Sequence, residues 1–152
     1  MKYKNNLEGK IIVLPLEKGG YATGLIARQD RNILLGYFFD TYYQNPPLNI
    51  KEWSVSEVCL ICLFGILGIN NNEWKILGDM PLWKRDEWIV PIFKQQDILN
   101  PEQYYSIIYQ DDLKEYERKK ASKEEVQKYY SYGIFGYGAV EIALSEKCIR
   151  HK

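Results

Sequence analysis

The sequence predicts an α+β fold, in which a strongly curved antiparallel sheet has C-terminal helices packed on one side. An open barrel is an alternative form of this sheet. Short apolar and aromatic runs, separated by turns rich in Gly, Asn and Pro, fill the chain up to Gln110. Two neighbouring runs contain an interior glycine, and helix signals are confined to the last quarter. Strands that precede helices are the α+β order. The length of 152 residues favours a single domain spanning residues 1–152.

The first forty residues predict three strands joined by tight turns. The strands are Lys10–Leu16, Tyr21–Gln29 and Ile33–Phe39. Such short connections make neighbouring strands antiparallel. Gly24 and Gly36 lie inside two of them, which indicates close backbone approach and a strongly coiled sheet. Pro15 predicts that the first strand lies at an edge or carries a bulge.

The middle of the chain predicts further strands around an irregular segment. These strands are Ser56–Gly65, Glu73–Gly78, Val90–Phe93 and Tyr104–Gln110. A short hydrophobic helix is the alternative for Ser56–Gly65, because the pattern alone does not separate the two. Pro81 and Pro91 bracket an excursion that contains Trp83 and Trp88. The other two tryptophans, Trp53 and Trp74, are expected in the core.

The last quarter predicts two helices. Ser122 and Glu125 have capping-box spacing, so one helix is expected from Lys123 to Tyr130. The segment Ala139–Ile149 predicts a second helix. Its expected buried face consists of Val140, Ala143, Leu144 and Cys148, and its expected exposed residues are Glu141, Lys147 and Arg150. Glu141 has a second interpretation, as a buried acid bonded to backbone N–H groups.

The side chains needed for catalysis are scarce. The one histidine is His151, beside the terminus, so no Ser–His or Cys–His pair is expected. Asp111 and Glu115 would share a helix face, but Lys and Arg side chains interleave with them, which favours a solvated surface over an acid–base pair. We therefore expect no catalytic residue, no metal and no cofactor.

The three cysteines predict buried thiols rather than a cross-link or a metal site. Cys59 and Cys62 have CxxC spacing, but on a strand they point to opposite faces. No second cysteine pair exists, so a structural zinc lacks ligands. Free thiols in a reducing compartment are the expectation.

Charge and hydropathy argue against nucleic acid and membrane partners. The formal net charge is zero, without the basic excess of nucleic-acid binders. The longest apolar run, Val58 to Ile69, is shorter than the ~20 residues that span a bilayer. We expect a soluble, cytoplasmic protein.

The aromatic residues point to protein recognition. Thirteen tyrosines and four tryptophans exceed the need of a core of this size, and such rings suit interfaces. Two predicted loops in the acidic middle of the chain place rings beside carboxylates. The candidate contact residues are Asp40, Tyr42, Tyr43, Trp83, Asp86, Glu87 and Trp88. Sealing of the sheet edges is the alternative role for these rings.

Three motifs resemble the immunity protein 26 family of bacterial polymorphic-toxin systems. They are "GKIIVLPLEKGGYATGLI", "WKILGDMPL" with the later "VPIF", and "FGYGAVEIAL". The resemblance implies an α+β inhibitor without catalytic residues, which binds a cognate toxin domain, often a nuclease. The matching residues are read as structural: Gly24, Trp74, Gly78, Pro81, Pro91, Phe93, Gly138 and Glu141.

For a nuclease partner, an acidic patch would mimic phosphate and speed association. A different class remains as an alternative. An aromatic-rich β-barrel module would bind a small ligand, a peptide or single-stranded nucleic acid in a concave pocket.

Overall fold

The computed structural model describes residues 6–147 and contains two sheets and three short α-helices. The large sheet has the strand order β10-β4-β3-β2-β1-β5. Its strands are β1 Lys10–Pro15, β2 Tyr21–Asp30, β3 Ile33–Phe39, β4 Val58–Gly65, β5 Lys75–Asp79 and β10 Ile134–Phe135. The short β10 pairs with β4 in parallel, and the other pairings are antiparallel. The predicted N-terminal meander and buried fourth strand are confirmed.

The small sheet has the strand order β8-β7-β6-β9. Its strands are β6 Phe93–Gln96, β7 Tyr104–Tyr109, β8 Tyr116–Ala121 and β9 Tyr130–Ser131. Sequence analysis missed β8, because this edge strand has the charged sequence YERKKA and every residue before Ala121 is exposed. Without a buried face, the strand lacks the alternation that identifies others.

The helices are α1 Leu67–Asn70, α2 Lys123–Val126 and α3 Tyr137–Lys147. The capping box at the start of α2 is confirmed, with both reciprocal hydrogen bonds present. This helix ends at Val126 rather than at Tyr130, because the chain turns there and enters β9. Cys148 and Ile149 of the predicted second helix, and the predicted exposed Arg150, lie outside the described residues, as does His151.

The large sheet is buried on both faces, which gives three layers. One face packs against α3 through a cluster that includes Phe38, Phe64, Trp74 and Leu144. The other face packs against the small sheet, which contributes Phe93 and Ile107. The two sheets do not close into a barrel. The α+β fold class is confirmed, with an open sheet rather than a barrel.

Irregular pairing accompanies the close packing of the large sheet. Register shifts interrupt the β1–β5, β2–β3 and β3–β4 pairings. A bulge increases local twist. A Cβ atom on Gly36 would lie 2.6 Å from the Phe38 ring and 2.7 Å from the Phe64 ring, and one on Gly24 would lie 2.7 Å from Phe38. The close approach predicted at both glycines is therefore confirmed.

Pro15 lies where β1 is paired with β2 alone, away from the bulge, although β1 is not an edge strand of the sheet. Strand β1 is flanked by β2 and β5, and its pairing with β5 shifts register between Ile11 and Ile12. The paired residues of β5 reach only to Val13. The missing N–H of Pro15 therefore leaves no gap in the β1–β5 ladder.

The cysteines differ from the expectation of uniformly free thiols. Cys62 is free and buried, and burial raises the pKa of its thiol to about 12, so it is inert. Cys59 is disulfide-bonded, so the expectation of a free thiol was wrong for this residue.

Among residues 6–147, no helix has both the length and the apolar character needed to cross a bilayer.

A candidate protein-binding surface

Two half-buried tryptophans hold the excursion between Pro81 and Pro91 against the large sheet. The Trp83 indole covers Gly9, where a Cβ atom would lie 2.9 Å from the ring. The Trp88 ring meets Tyr37 edge-on at a centroid distance of 5.1 Å and Phe39 at 6.1 Å. Both rings therefore anchor the segment, while Trp53 and Trp74 are buried in the core as predicted.

A chain of ion pairs fixes the same excursion between its two anchors. Arg85 Nε donates to Glu8 Oε1 at 2.9 Å, and Arg85 Nη1 donates to Asp111 Oδ2. The other carboxylate oxygen of Asp111 accepts from Arg28 Nη2 at 2.9 Å. Hydrogen bonds from Arg85 and Arg28 hold the pKa of Asp111 below its usual range, so its carboxylate stays charged.

Arg28 is a key residue that sequence analysis missed. Its side chain is 2% exposed although it belongs to strand β2. It also donates to the carbonyl of Ala27 at 2.6 Å and to the carbonyl of Asp111 at 3.1 Å. The available signal was a charge inside an otherwise apolar strand, because buried charges require partners.

Asp86 and Glu87 protrude from this fixed segment. They belong to a 3-10 turn, Arg85–Glu87, and both are exposed. On its far side the segment is held by Tyr37, whose hydroxyl donates to the carbonyl of Ile89. The two carboxylates are thus displayed on backbone that neighbouring contacts hold in place.

The remaining candidate residues lie at the other end of strand β2. Tyr43 pairs with Tyr21 through two backbone hydrogen bonds of 2.8 and 2.9 Å. The exposed Tyr42 ring covers Gly20, whose φ of +80° suits glycine. Asp40 is exposed, and its N–H donates to the carbonyl of Glu57.

The seven candidate residues therefore form two groups. Gly9, under Trp83, bonds to Ile26, whereas Tyr43 pairs with Tyr21. Ile26 and Tyr21 are five residues apart on β2, and at about 3.3 Å per residue the distance between them along the strand is about 17 Å. Trp88 lies between the groups, because it contacts Phe39, the residue before Asp40. Trp83, Asp86, Glu87 and Trp88 are therefore one group of candidate residues, and Asp40, Tyr42 and Tyr43 are the other.

Asp111 and Glu115 do not share a helix face, contrary to the expectation from the sequence pattern. They lie in the turn between β7 and β8 and not on a helix. Both Asp111 oxygens accept from arginines, while the Glu115 carbonyl accepts from the Gln110 N–H. Across residues 6–147, no group of three or more His, Cys, Asp or Glu side chains is placed to hold a metal ion.

Comparison with known proteins identifies a family. A family model described as Immunity protein 26 matches residues 7–105, which is more than half of the chain. The matched range contains both groups of candidate residues and ends within β7. The motif Phe135–Leu144 lies beyond it. No curated protein and no solved structure matches the chain.

Proposed function

The chain belongs to the immunity protein 26 family, and from this premise we propose that it binds and neutralises a cognate toxin domain in the cytoplasm of the producing bacterium. Neutralisation is by surface complementarity and consumes no substrate. The family match carries this proposal. The displayed loop between Pro81 and Pro91 supports it, because rigid rings beside exposed charges are typical of binding surfaces.

The chemistry of the loop favours a nuclease as the toxin. Nuclease active sites attract polyanions, and Asp86 and Glu87 present two carboxylates on a fixed turn. Because Arg85 is bound to Glu8 and Asp111, its positive charge is already paired within the chain. Lys84, exposed just before the turn, offsets one of the two carboxylates, so the turn keeps a small net negative charge that favours encounter with a basic cleft.

One toxin of ordinary size would reach both groups of candidate residues. A partner in a stable complex covers about 800 Å², which is a patch of roughly 30 Å across. The two groups are separated by about 17 Å along β2. Asp40, Tyr42 and Tyr43 would then contact the same toxin as Trp83, Asp86, Glu87 and Trp88.

Co-expression tests the proposed function. The probe is the C-terminal toxin domain encoded by the gene immediately upstream of this one. Cells that express the toxin domain with this chain should grow, whereas cells with the toxin domain and an empty vector should not. The two proteins should also purify together. Absence of both rescue and co-purification would refute the assignment.

A further inference from the structure

Strand β8 is a free edge of the small sheet. Among residues 6–147, it pairs with β7 on one side and with no strand on the other. Every residue of the strand before Ala121 is exposed. The backbone groups on its outer side are therefore open to solvent, and a row of such groups is a template for pairing with another strand.

The register of the β7–β8 hairpin determines which backbone groups of β8 are free. The Gln110 N–H donates to the Glu115 carbonyl at 2.9 Å, and the pairing continues from there without a register shift. Hydrogen-bonded and non-hydrogen-bonded pairs alternate along an antiparallel ladder. Every second residue after Glu115 therefore bonds to β7, and the residues between them direct their N–H and C=O groups to solvent. These outward residues are Tyr116, Arg118 and Lys120.

The side chains of β8 restrict the kind of strand that can pair with this edge. The four residues from Glu117 to Lys120 are all charged. Charged side chains on an edge ordinarily prevent pairing, because an incoming strand covers them without neutralising them. A partner strand therefore has to supply an opposite charge at the matching positions.

A second copy of β8 supplies these charges. In an antiparallel pair centred on Arg118, Glu117 lies opposite Lys119 of the partner subunit, and the two-fold axis repeats this contact. The contact is a non-hydrogen-bonded pair, in which the Cα atoms are about 4.5 Å apart and the side chains are closest. Opposite charges at such positions stabilise a sheet.

Neighbouring registers place like charges opposite each other at these closest positions. A pair centred on Glu117 would oppose two carboxylates, and one centred on Lys119 would oppose two ammonium groups. The register centred on Arg118 opposes two guanidinium groups, but each lies 3.8 Å from the centroid of the Tyr105 ring of its own chain. Because Tyr105 belongs to β7, this contact draws the charge of Arg118 away from the free edge.

We propose that two copies of this chain associate through their β8 strands, which joins their four-stranded small sheets into one continuous sheet. This inference does not depend on the proposed function. The three outward residues of each strand form about six backbone hydrogen bonds with the partner, two in each hydrogen-bonded pair. The contact is two-fold symmetric, so it closes after two copies and leaves no free edge at β8.

The area of the contact predicts a weak dimer. One strand edge covers less than the ~800 Å² per partner of a stable complex. We expect a dissociation constant of about 100 μM. The chain should therefore be monomeric at about 1 μM and mainly dimeric at about 1 mM.

Sedimentation velocity of the purified chain across this concentration range tests the proposal. Glu117→Lys and Lys119→Glu each place like charges opposite each other, so each should raise the dissociation constant of the dimer at least about 10-fold. An equimolar mixture of the two variants should regain about the wild-type dissociation constant, because every such contact then joins opposite charges. Both positions are exposed, so the melting temperatures should stay close to that of the wild type.

Glu57→Lys is the matched control for the change in net charge. Glu57 is exposed and lies just before β4, in the other sheet. This variant should leave the dissociation constant of the dimer within about twofold. A wild-type chain that stays monomeric at about 1 mM would overturn the proposal. A mixture that dimerises no better than its two components would also overturn it, because the contact would then lie elsewhere or have another register.

Amide hydrogen exchange, followed by NMR, identifies the strand itself. The N–H groups of Tyr116, Arg118 and Lys120 should become protected as the concentration of the chain rises. Those of Glu117 and Lys119 already bond to β7 and should change less. Protection that depends on added toxin domain, and not on the concentration of this chain, would overturn the proposal, because the edge would then bind the toxin.

Discussion

Trp74 and Glu141 form one structural unit although they are far apart in sequence. The buried indole donates its Nε1–H to Glu141 Oε2 at 2.8 Å. Burial raises the pKa of Glu141, and the Trp74 hydrogen bond opposes that shift. Glu141 is half-buried and bonded to an indole, and not to backbone N–H groups as one interpretation expected. Both residues belong to motifs that carry the resemblance, although only Trp74 lies within the matched range, and their hydrogen bond supports a structural role for the two residues.

Other features at the residue scale left weaker signals. Arg28 was the one charge within the predicted strand Tyr21–Gln29, and its partner Asp111 lies 83 positions away, so local patterns could not show the pairing. The almost fully exposed Ile98 and Leu99 lie between Asp97 and Asn100, two residues typical of turns. Turn residues predict a loop, but they do not predict how far its side chains protrude.

Charge reversal at the displayed turn tests the acidic patch. Asp86→Lys/Glu87→Lys should lower the association rate with the toxin domain about tenfold at low salt, because favourable steering is lost. The difference should shrink as salt screens the charges. Stopped-flow binding measures this rate. Glu115→Lys/Glu146→Lys makes the same change in net charge elsewhere and should have a smaller effect. An unchanged rate for the first variant would reject the patch but not the immunity role.

The elements differ in how well their own sequence specifies them. Strands β1, β2 and β3 were predicted because glycine turns and apolar runs are local signals. Strand β8 was missed because it forms through its backbone pairing with β7 and not through burial of its side chains. The end of α2 was misplaced because β9 forms a tertiary pairing with β6. The local sequence predicts where strands and helices begin and where the chain turns better than it predicts which distant strands pair.

The turn after β7 clamps the small sheet onto the large one through Asp111. Asp111→Asn should lower the free energy of unfolding by about 1 kcal/mol near neutral pH, because it leaves the buried Arg28 guanidinium without its carboxylate, while solvent already screens Asp111, which is 62% exposed. The backbone carbonyls that Arg28 also contacts limit the loss. Chemical denaturation followed by tryptophan fluorescence measures the change.

The pH dependence of that loss follows from the depressed pKa of Asp111. Its contribution is present above the pKa of an unfolded aspartate and is lost as the pH falls through the lower folded value. The difference between wild type and Asp111→Asn should therefore vanish in strong acid. Asp112→Asn removes a charge from the same turn and should cost little, since its oxygen accepts only from Lys114 N–H. Equal losses for both variants would contradict the clamp.

At the scale of the whole molecule, the three layers explain how recognition is supported. The large sheet is buried on both faces, so it forms a rigid platform for the segments at its ends. The α+β class was predictable, since it depends on the order of strand and helix signals. The stacking of a second sheet was not, because nothing in the local sequence determines which face that sheet covers.

The inhibition of a purified toxin domain is the most direct test of the central claim. The activity of the upstream-encoded domain should be measured while this chain is added in increasing amounts. We expect the activity to fall linearly with the amount of this chain and to reach zero at a molar ratio of one chain per toxin domain, as for a tight, non-catalytic inhibitor. Full toxin activity in the presence of a large excess of the folded chain would contradict the account.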